Sequence, residues 1–162
     1  MNKKGSIIDI VFVLVVLVFF GIVVLVGSKI GTEVNEIIQD NSEIDANTKE
    51  QSQRTISNSM GSIDNAFLFL VIFLAIGILI LAALVRVHPI FIPIFFVAWV
   101  MIIFLSGILA NIYLGMAETA QFADIASQMT FMHNIISVLP LIIGVFGIFL
   151  MVVMYKLWSA AQ

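Results

Sequence analysis

Four apolar stretches, each close to twenty residues long, constrain this chain more than any other feature. They are Ile7–Val26, interrupted only by Asp9; Ala66–Val85, free of charge; Ile90–Ala110, which carries Pro93 and Ser106; and Ile135–Tyr155, which carries Ser137 and Pro140. A helix rises 1.5 Å per residue, so ~20 apolar residues match the ~30 Å hydrocarbon core of a bilayer. Membrane β-strands are about half that length and alternate in polarity, which these stretches do not. Hiding them in a water-soluble core is not an option. The chain has 162 residues, 62% of them hydrophobic and 10% charged, and a chain this short leaves much of its surface exposed. The mean hydropathy is +1.18. The expected fold is an all-α integral membrane protein, one membrane domain over residues 1–162. Its four transmembrane helices (7–26, 66–85, 90–110 and 135–155) form an antiparallel bundle.

Sidedness follows from the basic residues. Lys3 and Lys4 precede the first span, Arg86 lies between the second and third, and Lys156 follows the fourth. Four crossings put all of them on one side, which the positive-inside rule makes cytoplasmic, with both termini there. The membrane is expected to be cellular or the internal membrane of a virion. The other side holds Lys29, Lys49 and Arg54 with nine acids: Glu33, Glu36, Asp40, Glu43, Asp45, Glu50, Asp64, Glu118 and Asp124.

The connections differ in kind. Arg86-Val87-His88-Pro89 reads as a tight turn, because proline pushes the residue before it out of helical geometry. Segment 28–65 is patterned. Ile30, Val34 and Ile37 are spaced 4-3, and Ile56, Met60, Ile63 and Phe67 are spaced 4-3-4, the spacing of two packed helices. Helix one is expected to continue to Asp40 and helix two to begin near Lys49, with a turn at Ile44-Asp45-Ala46. That register brings Glu36 near Arg54 and Asp40 near Lys49, and it makes this hairpin the candidate partner-binding element. A polar loop without helix is the alternative. In segment 116–131, Phe122, Ile125 and Met129 share a helical face. This predicts a short amphipathic helix, either at the outer interface or folded over the bundle mouth.

Asp9 is the first residue with candidate chemistry. An ionisable group in a membrane span invites a functional reading. Yet Ser6 precedes it by three residues, close to a capping box, and Lys3, Lys4, Arg86 and Lys156 share its side. A helix cap with an interfacial ion pair and a proton or ion site are both open, the cap being favoured. The opening MNKKGSIIDIVFVL, with its Lys-Lys-Gly and early acid, resembles the start of type IV prepilin-like proteins, which implies cleavage after Gly5. The acid stands one residue closer to the glycine than the family's glutamate, and three further spans replace a soluble head. The chain is not assigned there, and an uncut start is expected.

His88 and His133 fall at opposite faces by this topology, about 30 Å apart, so they share no haem or zinc. His133 is expected to finish a helix end near Thr130. Glu118 and Asp124 form either an acidic mouth or, as favoured, a solvated face. Ser106 and Asn111 read as hydrogen-bonding partners of neighbouring helices. Gly21, Gly77, Gly107, Gly144 and Gly147 read as close-approach positions and Pro140 as a kink, with Tyr113 and Trp158 as interface anchors. There is no cysteine, so disulfides, thiolate sites and the cysteine signatures of tetraspanins and tight-junction proteins are excluded. A net charge of −3 excludes a strongly basic nucleic-acid binder. No phosphate loop, nucleophile–base pair, metal motif or internal repeat is present.

The expectation is therefore a non-catalytic structural or assembly protein of a larger membrane complex. One form of it is an integral protein of a membrane-containing virion. Its partners are lipid and other subunits or copies of itself, with no cofactor, nucleic acid or small-molecule substrate. The alternative is an oligomeric channel, a holin-like pore former or a transporter accessory subunit.

Overall fold

A computed structural model describes residues 7–84 and 91–159. The described chain is helical: α1 Ile7–Asp40, α2 Ala46–Leu84, α3 Phe91–Ala117, α4 Ala123–Gln128, α5 Thr130–Ser137 and α6 Leu139–Ser159. In α1, α2 and α3 it has three helices long and apolar enough to cross a membrane. A fourth span results if α5 and α6, bent by 65° at their junction, are taken as one. These features are compatible with an integral membrane protein. Along the apolar stretches the outward surface carries large apolar side chains, with Phe12, Phe19, Phe73, Met101, Phe104 and Leu141 all exposed. That inversion suits a hydrocarbon solvent.

With 34 and 39 residues, α1 and α2 are about 50 and 60 Å long, well beyond a ~30 Å core. Helix α1 stops at Asp40 as expected, but α2 begins at Ala46, three residues before Lys49. The turn between them is polar. Asn41 Oδ1 accepts the Glu43 N–H at 2.9 Å, and Asp45 Oδ1 accepts the Thr48 N–H at 2.6 Å, capping the first turn of α2.

The seam of this extension differs from the expected one. Ile30, Val34 and Ile37 are 57, 49 and 69% exposed. The α1 residues turned to α2 are polar: Ser52 Oγ donates to Asn35 Oδ1 at 2.9 Å, Gln39 Nε2 donates to the Lys49 carbonyl at 2.8 Å, and Lys49 Nζ donates to the Gln39 carbonyl at 2.6 Å. The reason is helical phase. In the span, α1 buries Leu14, Val18, Gly21 and Leu25. The same 4-3 spacing carried onward reaches Ser28, Thr32, Asn35 and Gln39. A straight helix cannot rotate its face midway, so the span dictates which residues the extension turns inward. The expected cross-hairpin ion pairs do not form either. Arg54 pairs with Glu50 on its own helix, Lys49 is taken up by Gln39, and Glu36 and Asp40 are exposed. The half-buried or buried residues of α2 include Ile56, Met60, Asp64 and Phe67.

Helices α3 and α6 pack most extensively. Trp99 on α3 is buried beside Gly147, where an added Cβ would overlap its indole. Its Nε1–H donates to the Ile143 carbonyl at 2.9 Å. The span expected at 135–155 is broken at Val138. Pro140 has no N–H, and in a continuous helix its ring would meet the Ile136 carbonyl. The chain breaks instead, so that Pro140 falls in the first turn of α6, where a missing N–H costs nothing.

The amphipathic segment is shorter and more deeply packed than an interfacial helix. Helix α3 extends to Ala117, and α4 packs on α1, α3 and α5. Ile125, Ala126 and Met129 are at most 3% exposed. Segment 123–137 packs against α1, α2 and α3.

Candidate functional site

The main polar junction of the described interior is at the N-terminus of α5. A helix start leaves N–H groups without intrahelical acceptors, and the residue before this one, Met129, makes no side-chain cap. The acceptor comes from α2 instead. Asp64, 6% exposed, receives the Phe131 N–H on Oδ2 at 3.0 Å and the Met132 N–H on Oδ1 at 2.7 Å. A carboxylate at this end also meets the favourable pole of the helix dipole. One side chain thus closes the start of α5 from a different helix, 67 and 68 residues away in sequence.

Two more polar groups stand beside it. Tyr113 on α3 is fully buried, and its ring lies 6.0 Å centroid to centroid from that of His133 on α5, inclined by 47°. The Tyr113 hydroxyl and His133 Nδ1 are both buried and have no hydrogen-bond partner among the described residues. Gly21 on α1 makes room: a Cβ there would come within 2.6 Å of Ile136 Cδ1 and 3.5 Å of Tyr113 Cε2. Four helices therefore bring an acid, a phenol and an imidazole to one level of the bundle.

The rest of the described interior is largely apolar. Leu17, Val18, Trp99, Ile102, Ile143 and Leu150 fill the interior. Ser106, fully buried, spends its hydroxyl on the Ile103 carbonyl of its own helix at 2.7 Å rather than on a neighbour. Asn111 is exposed. At no point do three or more His, Asp or Glu side chains gather where a metal could bind, among the described residues.

The residues singled out in the sequence are not brought together. Asp9 is the third residue of α1, but its side chain, with Ser6, Lys3, Lys4, Arg86 and His88, lies outside the described residues, as does the Trp158 side chain. Lys156 is exposed near the end of α6, as are Glu118, just after α3, and Asp124 on α4, the latter accepting from Gln128 Nε2 at 3.1 Å. Tyr113 is no interface anchor, because it is wholly buried. His133 sits in the first half of α5, not at its cap. Among the expected close-approach glycines, Gly21 and Gly147 are tightly overlaid. Gly144 makes an ordinary 3.7 Å contact with Ile103, and Gly77 faces open space within this chain. In the sequence Asp64 stands out only as one of the outer acids. Its position four residues after Met60 and three before Phe67, in the inward stripe of α2, was the available signal. Compared with protein-family models, curated proteins and solved structures, the chain matches none.

Proposed function

We propose that this is a non-catalytic structural or assembly protein, a multi-pass subunit of a larger membrane complex. In this reading four passes form an antiparallel bundle, with the bent pair α5–α6 as the fourth. Both termini lie on the cytoplasmic-type side, and the α1–α2 extension protrudes on the other as the partner-binding element. One form of the proposal is an integral protein of a membrane-containing virion. The supporting observation is the use made of Asp64. A carboxylate buried among the described residues holds one of the chain's own helices in place, and apolar packing fills the described interior beneath it. Chemistry is spent on shape.

The test is gentle isolation of the native membrane assembly, followed by crosslinking mass spectrometry. The proposal expects extension residues such as Glu36 and Lys49 to crosslink to other subunits. Recovery of a pure species with no crosslinked neighbour defeats it.

A second reading is an oligomeric channel, a holin-like pore former or a transporter accessory subunit. It is favoured by the Tyr113 hydroxyl and His133 Nδ1 beside Asp64, which have no partner among the described residues and are polar groups of the kind that line ion and proton paths. Ion flux in proteoliposomes that falls on Asp64→Asn or Asp9→Asn substitution supports it, and tight vesicles with the intact protein dismiss it.

A further inference from the structure

Helix α1 has a second apolar face, opposite the one that it buries. Inside the span this face presents Val16, Phe19, Val23 and Val26, all exposed. Beyond the span it continues in step through Ile30, Val34 and Ile37. Lipid covers the first group. Ile37, however, lies eleven residues after Val26, about 16 Å further along the axis. The span up to Val26 already fills a ~30 Å core, and the charges begin at Lys29. The outer end of the stripe therefore stands clear of hydrocarbon, and α2 does not cover it, because the α1–α2 seam is closed by Asn35, Gln39, Lys49 and Ser52.

We infer that α1 pairs along this stripe with α1 of a second copy, in parallel, from within the bilayer out to Ile37. Three observations favour a second copy over a different partner. The stripe runs unbroken from lipid into water, so its cover must be another helix leaving the membrane with an apolar face at the same height. Copies inserted in one orientation supply that element by symmetry.

Charge placement agrees. Glu33, Glu36 and Asp40 fall on one flank of the stripe, with Lys29 paired to Glu33 at 3.5 Å among them, so that the flank is net acidic. The other flank carries Ile38 and two glycines, Gly27 and Gly31, with nothing within 4 Å of where a Cβ would stand. A two-fold axis parallel to the helices sets the acidic flank of each copy beside the glycine flank of the other. The acids stay apart, and the small residues admit close approach.

The surface is also available. The seven side chains are each 37–69% exposed, so all of them are free to contribute to the contact.

The inference rests on reading α1 as a membrane span continued into water, and it does not need the assembly role. The test uses the full chain in proteoliposomes, and its lack of cysteine makes single replacements clean. Ile30→Cys, Val34→Cys and Ile37→Cys are expected to form disulfide-linked dimers under mild oxidation. Their yield should exceed that of Glu36→Cys on the flank and Asn58→Cys on α2 at least several-fold. Ile30→Glu with Ile37→Glu should convert dimer to monomer in detergent, with Asn58→Glu leaving the dimer intact. A membrane-impermeant maleimide applied to the same cysteines separates the failures. Labelling without self-crosslinking overturns the pairing and leaves the membrane reading standing. Protection from label without crosslinking puts Ile37 in lipid and overturns both. Equal crosslinking at Glu36→Cys and Ile37→Cys also overturns it, since a paired face must show helical periodicity.

Discussion

Asp64 supplies from α2 the cap that α5 lacks in its own sequence. Asp64→Ala leaves the Phe131 and Met132 N–H groups without their acceptor, at an expected cost of about 1–3 kcal/mol. Amide exchange at those two residues reads it directly, and unchanged protection would refute the role. Asp64→Asn retains one carbonyl oxygen and should cost less. Asp45 makes the contrasting case, a cap within its own segment and open to water. The Thr48 hydroxyl, and after it the Thr48 N–H, hold the Asp45 carboxyl below the usual carboxylate range. A group with a lowered folded-state pKa contributes its stability above the unfolded value, about 3.9, and loses it as pH falls through the lowered one. The first turn of α2 is therefore expected to loosen only under acid below about pH 4. The Thr48 amide shift in an NMR titration reports that step, and Asp45→Asn should abolish it. The expected turn at Ile44-Asp45-Ala46 places Asp45 beside the start of α2, but its role as the cap is a finding of the structure, with α2 starting at Ala46 rather than near Lys49. The role of Asp64 was not legible, because its partners are remote in sequence and only packing brings them near.

At the scale of elements, two packing devices organise the α3, α5 and α6 side of the bundle. Trp99 lies where Gly147 has no side chain and bonds the Ile143 carbonyl, so Gly147→Ala must displace the indole. Overpacking of this kind costs about 1–3 kcal/mol. In a Trp99→Leu background the same substitution should cost markedly less, and a double-mutant cycle of thermal stability in detergent measures the coupling. Equal costs in both backgrounds would show that the two residues do not touch. The α5–α6 bend is held at two points, by Pro140 and by the anchoring of α5 at Asp64. Pro140→Ala alone is expected to leave the bend in place, whereas Pro140→Ala with Asp64→Ala releases it. Spin-label distances between position 130 and the outer surface of α6 separate these outcomes. Proline chemistry made a departure from straightness at this place readable in the sequence. Its form was not readable. Whether a proline kinks one helix or starts another depends on what holds the preceding segment, here the buried Met132 and Ile136 and the carboxylate of α2.

For the whole molecule, the expected behaviour is that of a closed body. With Leu17, Val18, Trp99, Ile102 and Ile143 filling the described interior, vesicles carrying the protein should hold a potassium gradient as well as empty ones do, as dye-based flux assays would register. A steady leak would shift the balance to the channel reading. The sequence alone points to a helical chain whose long apolar helices suit hydrocarbon. Runs such as Ala66–Val85 have no charge, and in hydrocarbon every backbone group must be satisfied within its own helix, so composition and length suffice to place them. It also located the end of α1 and the apolar face of α4, both written in adjacent residues. Tertiary structure alone decided which stripe of α1 faces inward. Ile30, Val34 and Ile37 carry the stronger apolar pattern, yet α1 turns Asn35 and Gln39 to α2 because the rigid helix inherits its phase from Leu14, Val18 and Leu25 within the span. It also decided the company of Asp64, Tyr113 and His133. Local pattern tells each helix which residues are apolar, but it does not say which neighbour meets them. That is settled by how rigid helices fit against one another.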